Sequence, residues 1–315
     1  MTWAIHGVSL LSHDFAAAER FFGAAIGLGQ PHALHPRTIA FDHGTARLRL
    51  QMPRRHLARL GGELMAQAGA RHVAIEVDDL HRVVTNLDRA AIGHVEADDA
   101  SPESPAVCTI DPALNIVVFR QRVAPAPRPA DQGGWFIHHV NLEAQDVREA
   151  VGFYTEIAGM AEGRWQAPAE RGDFSIDPAL LAVLPTRDDG NGGDNSGLHI
   201  IRADPGFALR NNFAHNPSIG GHPAICVPDV RAVKARLEAA GVLVSDAGVY
   251  AMAGMHQIYA FDPSGNMIEV NQVVSPVASA PGFPIDWNRT RTIQTWNPRP
   301  YDPERGCPLC FPACR

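Results

Sequence analysis

The chain has 315 residues, which is enough for two domains of ordinary size, each with its own apolar core. Apolar residues make up 45% of the sequence and charged residues 19%, a balance typical of globular proteins and unlike that of disordered chains. The net charge of −7 and the lack of a dense Lys/Arg run exclude a nucleic-acid-binding footprint, and no apolar run approaches the length of a membrane span.

The N-terminus lacks a basic region followed by an apolar one, so we expect a cytoplasmic protein that has neither a nucleic acid nor a membrane as a partner. The five cysteines are Cys108, Cys226, Cys307, Cys310 and Cys314, and an odd set clustered near the C-terminus does not resemble a secreted disulfide framework. Fifteen histidines are a high count, which justifies a search for metal ligands.

Two similar units make up the first part of the chain. Residues Ile5–Leu10 alternate like a half-buried strand, and a helix follows with Asp14 as its N-cap and an end near Gly27. Strands are predicted near residues 38–41 and 46–50. The second unit has a strand over 71–77, a helix that begins after Asp79, and strands over 107–110 and 116–119.

The same pattern returns after a segment rich in Pro, Ala and Gly, residues 122–134, which we interpret as a linker. Residues Ile137–Leu142 align with Ile5–Leu10 without a gap. The further matches are Asp146 with Asp14, Phe153-Tyr154 with Phe21-Phe22, Gly159 with Gly27, His222 with His72, Asp229 with Asp79, and Asp262-Pro263 with Asp111-Pro112. The chain therefore contains four strand–helix–strands units.

Four βαβββ units in this order resemble the vicinal-oxygen-chelate superfamily, which includes glyoxalase I, the bleomycin- and fosfomycin-resistance proteins and the type I extradiol dioxygenases. The resemblance implies an α+β fold in which paired units form two domains with curved, barrel-like sheets. On this basis we divide the chain into an N-terminal domain at 1–122, a linker at 123–134, a C-terminal domain at 135–274 and an extension at 275–315.

The resemblance also implies a metal site in the C-terminal domain. The family's ligand positions carry His139, His222 and Glu269 in this sequence. Two imidazoles and one carboxylate resemble the facial triad of non-haem Fe(II) oxygenases, which leaves coordination positions open. We therefore expect Fe(II) as the cofactor, with Mn(II), Ni(II) and Zn(II) as alternatives.

The N-terminal half provides an internal comparison, because its equivalent positions are Gly7, His72 and Val118. Two of the three ligands are missing, so this half is expected to have a degenerate site. His138 is an alternative first ligand, but strand alternation predicts that its side chain points away from that of His139. Its equivalent His6 remains in the half without ligands, which indicates a structural role for His138.

Two residues are candidates for a catalytic role. Tyr259 fits the extradiol pattern that runs from Ile258 to Glu269, and the family's tyrosine there contacts a substrate oxygen. His199, in the last strand of the third unit, matches either the acid–base histidine of extradiol enzymes or a glutamate ligand of glyoxalase I. In the second case His199 would be a fourth metal ligand.

The sequence departs from the extradiol pattern at one position. The pattern requires a histidine several residues before the tyrosine, close to Tyr250, and this chain offers only His256. Either Tyr250 or His256 replaces it, or the enzyme is not a standard catechol cleaver. The spacing from His199 to His222 is also long, and the extra segment 204–218 resembles the glyoxalase-like branch.

We therefore predict an extradiol-type dioxygenase that cleaves a catechol- or hydroquinone-like aromatic with O₂ and forms a homo-oligomer. The alternatives are a glyoxalase-like isomerase or lyase and a non-catalytic binder similar to bleomycin-resistance proteins. Residues 188–195, rich in Gly, Asp and Asn, are expected to form a solvated hairpin loop. Cys307, Cys310 and Cys314 have metal-like spacing but no fourth ligand nearby, so we assign them no role in folding.

Overall fold

A computed structural model describes residues 3–52, 72–97, 100–111, 116–122, 134–163, 165, 177–186, 195–211, 213–249, 252, 254–263 and 265–274. Within these segments no helix combines the length and the apolar character that a membrane span requires.

The strands are numbered in chain order. In the first half they are β1 (Trp3–Leu11), β2 (His32–His35), β3 (Thr38–His43), β4 (Ala46–Gln51), β5 (His72–Val77), β6 (His94–Glu96), β7 (Ala106–Ile110) and β8 (Ile116–Gln121). In the second half they are β9 (Phe136–Glu143), β10 (Leu181–Pro185), β11 (Gly197–Ile201), β12 (His222–Cys226), β13 (Ser245–Val249), β14 (Met255–Phe261) and β15 (Met267–Val273).

The α-helices are α1 (Phe15–Ala18), α2 (Leu80–Arg89), α3 (Val147–Ile157), α4 (Phe207–Asn211) and α5 (Val230–Ala239). Each of α1, α2, α3 and α5 begins after an aspartate whose carboxylate accepts hydrogen bonds from the first-turn amides, as an N-cap does.

The strands form two sheets, one from each half of the chain. The first has the order β2-β3-β4-β1-β5-β8-β7-β6, and the second has the order β10-β11-β9-β12-β15-β14-β13. Each sheet therefore joins two consecutive units through their first strands, β1 with β5 and β9 with β12. This confirms the predicted α+β fold of paired modules, although each sheet is curled rather than closed into a barrel.

The first helix differs from the prediction in its winding. It starts as α1 and continues as a π-helix over Glu19–Ile26, which ends where Gly27 adopts a left-handed φ of 94°. Carbonyl groups at the end of a helix lack partners within it. Here Arg236 of α5 donates a 2.8 Å hydrogen bond from Nε to the carbonyl of Ala25, so the second half of the chain caps this helix.

Further hydrogen bonds join the two halves. Asn86 of α2 donates from Nδ2 to the carbonyl of Ile157 at the end of α3, at 2.9 Å. The hydroxyl of Tyr154 donates a 3.0 Å bond to Oδ2 of Asp111, and both side chains are buried. One apolar cluster extends through both halves, so the two sheets are supported by a shared core.

Candidate metal centre

Strand register brings the three predicted ligands to the same face of the second sheet. His139 on β9 lies opposite Ala224 on β12, which in turn lies opposite Glu269 on β15. His222 lies opposite Asn141 and two residues before Ala224, and strand side chains repeat their direction every second residue. All three ligand candidates therefore project from one face of neighbouring strands.

The ligand atoms converge closely. One nitrogen from each of His139 and His222 and one oxygen of Glu269 all lie within 4.8 Å of one another. Oε2 of Glu269 is 3.1 Å from Nε2 of His222 and 3.5 Å from Nε2 of His139. Each of the three side chains is at most 2% exposed. This arrangement could hold a metal ion.

The electrostatics of the cluster fit a cation. Burial alone would raise the pKa of Glu269, but the neighbouring His139 and His222 hold it well below its ordinary value, so the carboxyl group is ionised. Within the described part of the chain no Lys or Arg forms an ion pair with Glu269. A buried carboxylate is costly without a cation partner, and two imidazoles with one carboxylate match a non-haem Fe(II) ligand set.

His138 does not follow the strand alternation assumed from the sequence. The pairing register skips this residue, because Ile137 lies opposite Ile225 while His139 lies opposite Ala224. The resulting β-bulge brings Nδ1 of His138 to 2.9 Å from Nδ1 of His139, so the prediction that the two rings point apart is wrong. A proton on one of these nitrogens can fix the tautomer of His139 with Nε2 directed at the metal centre.

His199 lies beside the ligand cluster and outside it. Its ring stacks on that of His139 with centroids 4.0 Å apart. Nε2 lies 2.7 Å from the carbonyl oxygen of Asn195, which can only accept, so Nε2 carries the proton and Nδ1 carries the lone pair. Burial, together with the charge of His139, lowers the pKa of His199 well below its ordinary value, which keeps the ring neutral.

Tyr259 and Gln257 project from β14 toward Glu269. In this antiparallel pairing Tyr259 lies directly opposite Glu269. Gln257 donates from Nε2 to Oε1 of Glu269 at 2.8 Å and to the hydroxyl oxygen of Tyr259 at 3.1 Å. Sequence reasoning missed Gln257, although the two-residue strand repeat from Tyr259 would have indicated that it shares this face.

The structure does not bring His256 into the centre. His256 lies between Gln257 and Met255 on β14, so its side chain projects from the opposite face, where Nε2 lies 2.8 Å from Oδ1 of Asp246. The position of His256 therefore gives no support to the catalytic role predicted for it. The other expected replacement, Tyr250, lies outside the described residues.

A cavity of about 290 Å³ opens onto the cluster, and its size is near the lower end of the range for small-molecule sites. His139, His199, Tyr259, Gln257 and Glu269 line it on one side. Its other walls are largely apolar or aromatic and belong to Trp165, Leu180, Leu181, Ile201, Phe207 and Met252. The segment that the sequence flagged as an insertion supplies Asp204, Pro205, Pro217 and Ser218.

The first sheet carries apolar residues at the equivalent positions. Ala74, Val118 and Cys108 are paired across β5, β8 and β7, as Ala224, Glu269 and Tyr259 are in the second sheet. Together with Ala106, the counterpart of Gln257, they form a small apolar cluster. The face that holds a polar cluster in the second sheet is thus filled with small side chains in the first.

Several other predictions concern residues outside the described part of the chain. These are most of the Gly/Asp/Asn-rich loop at 188–195, most of the linker at 123–134, and the extension at 275–315 with Cys307, Cys310 and Cys314.

Comparison with known proteins agrees with this architecture. Residues 136–270 match the sequence model of the Glyoxalase/Bleomycin resistance protein/Dioxygenase superfamily. No curated protein sequence matches the chain significantly.

Solved structures with a similar fold include both oxygenases and a glyoxalase. A catechol 2,3-dioxygenase is 15% identical with a TM-score of 0.55, over 86% of this chain and 89% of that one. A 2,2',3-trihydroxybiphenyl 1,2-dioxygenase from Sphingomonas wittichii strain RW1 is 12% identical with a TM-score of 0.56, over 86% and 91%. A Mn(II)-bound glyoxalase from Novosphingobium aromaticivorans is 16% identical with a TM-score of 0.56, over 86% and 82%. At these identities the likeness establishes the fold.

Proposed function

We propose that the chain is a metal-dependent extradiol-type dioxygenase. The premise is that residues 136–270 match the Glyoxalase/Bleomycin resistance protein/Dioxygenase superfamily. The substrate would be a catechol- or hydroquinone-like aromatic, cleaved with O₂. The observation that carries this proposal is the convergence of His139, His222 and Glu269 at a cavity that also presents His199 and Tyr259.

The metal would be held by His139, His222 and Glu269 and is proposed to be Fe(II). When bound, it would make the hydroxyl group of a coordinated aromatic more acidic and would supply the redox chemistry with O₂. Three protein ligands leave coordination positions for other molecules. The ionised carboxylate of Glu269 is already in the protonation state that metal binding requires.

His199 is suited to accept a proton from the substrate. Its ring is neutral, its Nε2 proton is donated to the carbonyl of Asn195, and Nδ1 carries the lone pair. The ring lines the cavity next to His139, within reach of a molecule seated at the metal centre. General-base catalysis of this kind typically contributes about 10²–10⁴-fold to the rate.

Tyr259 and the aromatic walls would orient the substrate. Tyr259 lines the cavity, and its ring lies edge-on to that of His222 with centroids 5.9 Å apart. Its hydroxyl group would donate to a substrate oxygen. Trp165 is edge-on to His199 at 5.0 Å and, with Phe207, supplies flat apolar surfaces for an aromatic ring. These walls also exclude water from the reacting groups.

Reconstitution tests the proposal directly. The metal-free protein would be loaded with Fe(II) without oxygen and then mixed with O₂ and a panel of catechols and hydroquinones. We expect the near-ultraviolet and visible absorbance of ring-cleavage products with at least one substrate, and no product with protein reconstituted with Zn(II). Absence of ring cleavage across the whole panel, with Fe(II) stoichiometrically bound, would contradict the proposal.

A glyoxalase-like isomerase or lyase is the second candidate, because the ring of His199 lies against His139 and the 204–218 segment lines the cavity. In that case His199 would be a fourth ligand, and Ni(II), Zn(II) or Co(II) would be the metal. Elemental analysis of the protein as isolated separates the two, since iron favours the dioxygenase and nickel or zinc the isomerase.

A further inference from the structure

The side-chain amide of Gln257 connects two groups of the proposed centre. Gln257 is 3% exposed, and its Nε2 lies 2.8 Å from Oε1 of Glu269 and 3.1 Å from the hydroxyl oxygen of Tyr259. The amide nitrogen of Gln257, and not its amide oxygen, faces Oε1 of Glu269, because an amide oxygen only accepts hydrogen bonds and a metal-ligating carboxylate has no proton to donate. The two amide protons can thus be donated to two different acceptors.

The first hydrogen bond gives the two carboxylate oxygens of Glu269 different partners. Oε2 faces Nε2 of His139 and Nε2 of His222, whereas Oε1 is held by Gln257. The hydrogen bond from Gln257 occupies one lone pair of Oε1 and fixes the orientation of the carboxylate, so that Oε2 is the oxygen directed at both histidines. Gln257 therefore favours coordination through Oε2 alone, which leaves one more position for substrate or O₂ than a bidentate carboxylate would.

The second hydrogen bond fixes the polarity of the Tyr259 hydroxyl. Because its oxygen accepts from Gln257, its own proton is directed elsewhere. Tyr259 lines the cavity, so this proton can be donated to a substrate oxygen.

The internal repeat supports a joint role for the three residues. The first half of the chain has Ala106, Cys108 and Val118 where the second half has Gln257, Tyr259 and Glu269. The half that lacks the ligand cluster thus lacks all three of these polar groups, and small apolar packing replaces them.

We propose that Gln257 is a positioning residue that holds Glu269 as a one-oxygen metal ligand and Tyr259 as a hydrogen-bond donor to the substrate. This inference rests on the proposed metal centre and does not depend on the identity of the reaction.

Metal affinity tests the inference without any turnover. Co(II) would be titrated into the metal-free forms of the unmodified protein, Gln257→Leu and Gln257→Glu, with visible absorbance as the readout. We expect the dissociation constant to rise about 10–100-fold in both variants, as is usual when a partner of a metal ligand is removed. Gln121→Leu is the matched control, because the hydrogen bonds of the Gln121 side chain to described residues go to backbone groups of the first half, at Leu80, Asp78 and Arg122.

Unchanged Co(II) affinity in a folded Gln257 variant would overturn the inference, whether or not ring cleavage is ever detected. Conversely, weakened Co(II) binding without ring cleavage by the Fe(II) form would support the role of Gln257 and count against the dioxygenase. A double-mutant cycle with Tyr259→Phe measures the second contact, because the effect of Tyr259→Phe on substrate KM should shrink when Gln257 is already leucine.

If neither Gln257 variant folds, a crystal structure of the unmodified protein with Co(II) decides the question. Nε2 of Gln257 within hydrogen-bond distance of a non-coordinating Glu269 oxygen would support the inference. Both Glu269 oxygens on the metal would contradict it.

Discussion

Nε2 of His222 lies 3.1 Å from Oε2 of Glu269, and both side chains are buried in a part of the sheet where no Lys or Arg among the described residues pairs with the carboxylate. An ionised carboxylate in such a place is unfavourable unless a cation balances it. The negative charge of Glu269 beside His222 would therefore be balanced by a divalent metal ion bound to both side chains.

Metal binding should raise the thermal stability of the protein. At a metal concentration about 100-fold above the dissociation constant, the gain is about 2.7 kcal/mol, or a shift of roughly 4 °C in Tm. Glu269→Gln and His222→Asn should lose this shift, because each removes one of three ligands. Differential scanning calorimetry with and without Fe(II) or Co(II) measures the effect.

His72→Asn is the control for that experiment, because His72 is the counterpart of His222 in the half without the cluster. It should keep the full metal-dependent shift in Tm. If the metal-dependent shift in Tm is kept in Glu269→Gln but lost in His72→Asn, the metal site lies in the first half of the chain.

His199→Gln separates a proton-transfer role from a ligand role. Glutamine can still donate to the carbonyl of Asn195 but has no basic nitrogen. We expect kcat to fall about 10²–10⁴-fold while Co(II) affinity stays close to that of the unmodified protein. If Co(II) affinity instead falls as far as in His139→Asn, His199 is a metal ligand, and this result would favour the glyoxalase-like alternative.

His256→Asn should affect folding and leave the metal centre intact. The variant loses the 2.8 Å contact with Asp246, and a hydrogen bond to a charged group is worth about 1.5–3 kcal/mol. Burial raises the pKa of Asp246, but the hydrogen bond and charge of His256, with smaller effects of the Gly248 amide and Lys234, together outweigh burial and lower the pKa below 3.8. The contribution of Asp246 to stability is therefore present above pH 3.8 and is lost as the pH falls through the lower, folded-state pKa.

Urea unfolding at neutral pH and at acid pH measures this contribution. The difference in unfolding free energy between the unmodified protein and His256→Asn should shrink in acid. A large loss of Co(II) affinity in His256→Asn would show that the side chain acts on the centre after all.

Tyr154→Phe should weaken the junction between the two halves by about 1.5–3 kcal/mol, because the Tyr154 hydroxyl donates to the buried Asp111 carboxylate. Burial, and then the charge of Asp111, raise the pKa of Tyr154 well above 10.0. Above pH 10.0 the unfolded chain loses this proton before the folded protein does, so stability should fall as the pH rises.

Urea unfolding at neutral pH and above pH 10.0 tests the Tyr154 prediction. The alkaline loss of stability should be smaller in Tyr154→Phe than in the unmodified protein. An equal loss in both proteins would assign the alkaline effect to other groups.

The fold and the position of the ligand cluster could be predicted from the sequence because the chain repeats itself. The match of residues 137–142 to residues 5–10 sets the order of units, and strand register then determines which side chains meet. Asp14, Asp79, Asp146 and Asp229 were recognisable as caps because a carboxylate before a helix has a specific hydrogen-bonding role.

Other features depended on interactions that a periodic pattern does not encode. The bulge at His138 breaks the two-residue alternation of the strand. Neither the sequence around His138 nor the sequence around its counterpart His6 indicates that a residue will be inserted there. His256 was assigned a role by its distance from Tyr259 in sequence, whereas an odd offset along a strand directs it to the opposite face. The contact between Gln257 and Glu269 depends on the register of β14 and β15, which the sequence pattern does not specify.

The fate of labelled dioxygen tests the proposed function most directly. The Fe(II)-loaded protein would be supplied with O₂ that carries a heavy oxygen isotope and with an aromatic substrate from the panel, and the product would be analysed by mass spectrometry. The proposed function predicts a ring-opened product that contains both labelled oxygen atoms and is absent with Glu269→Gln. An isomerised or cleaved product without label, formed at the same rate in the absence of O₂, would contradict it.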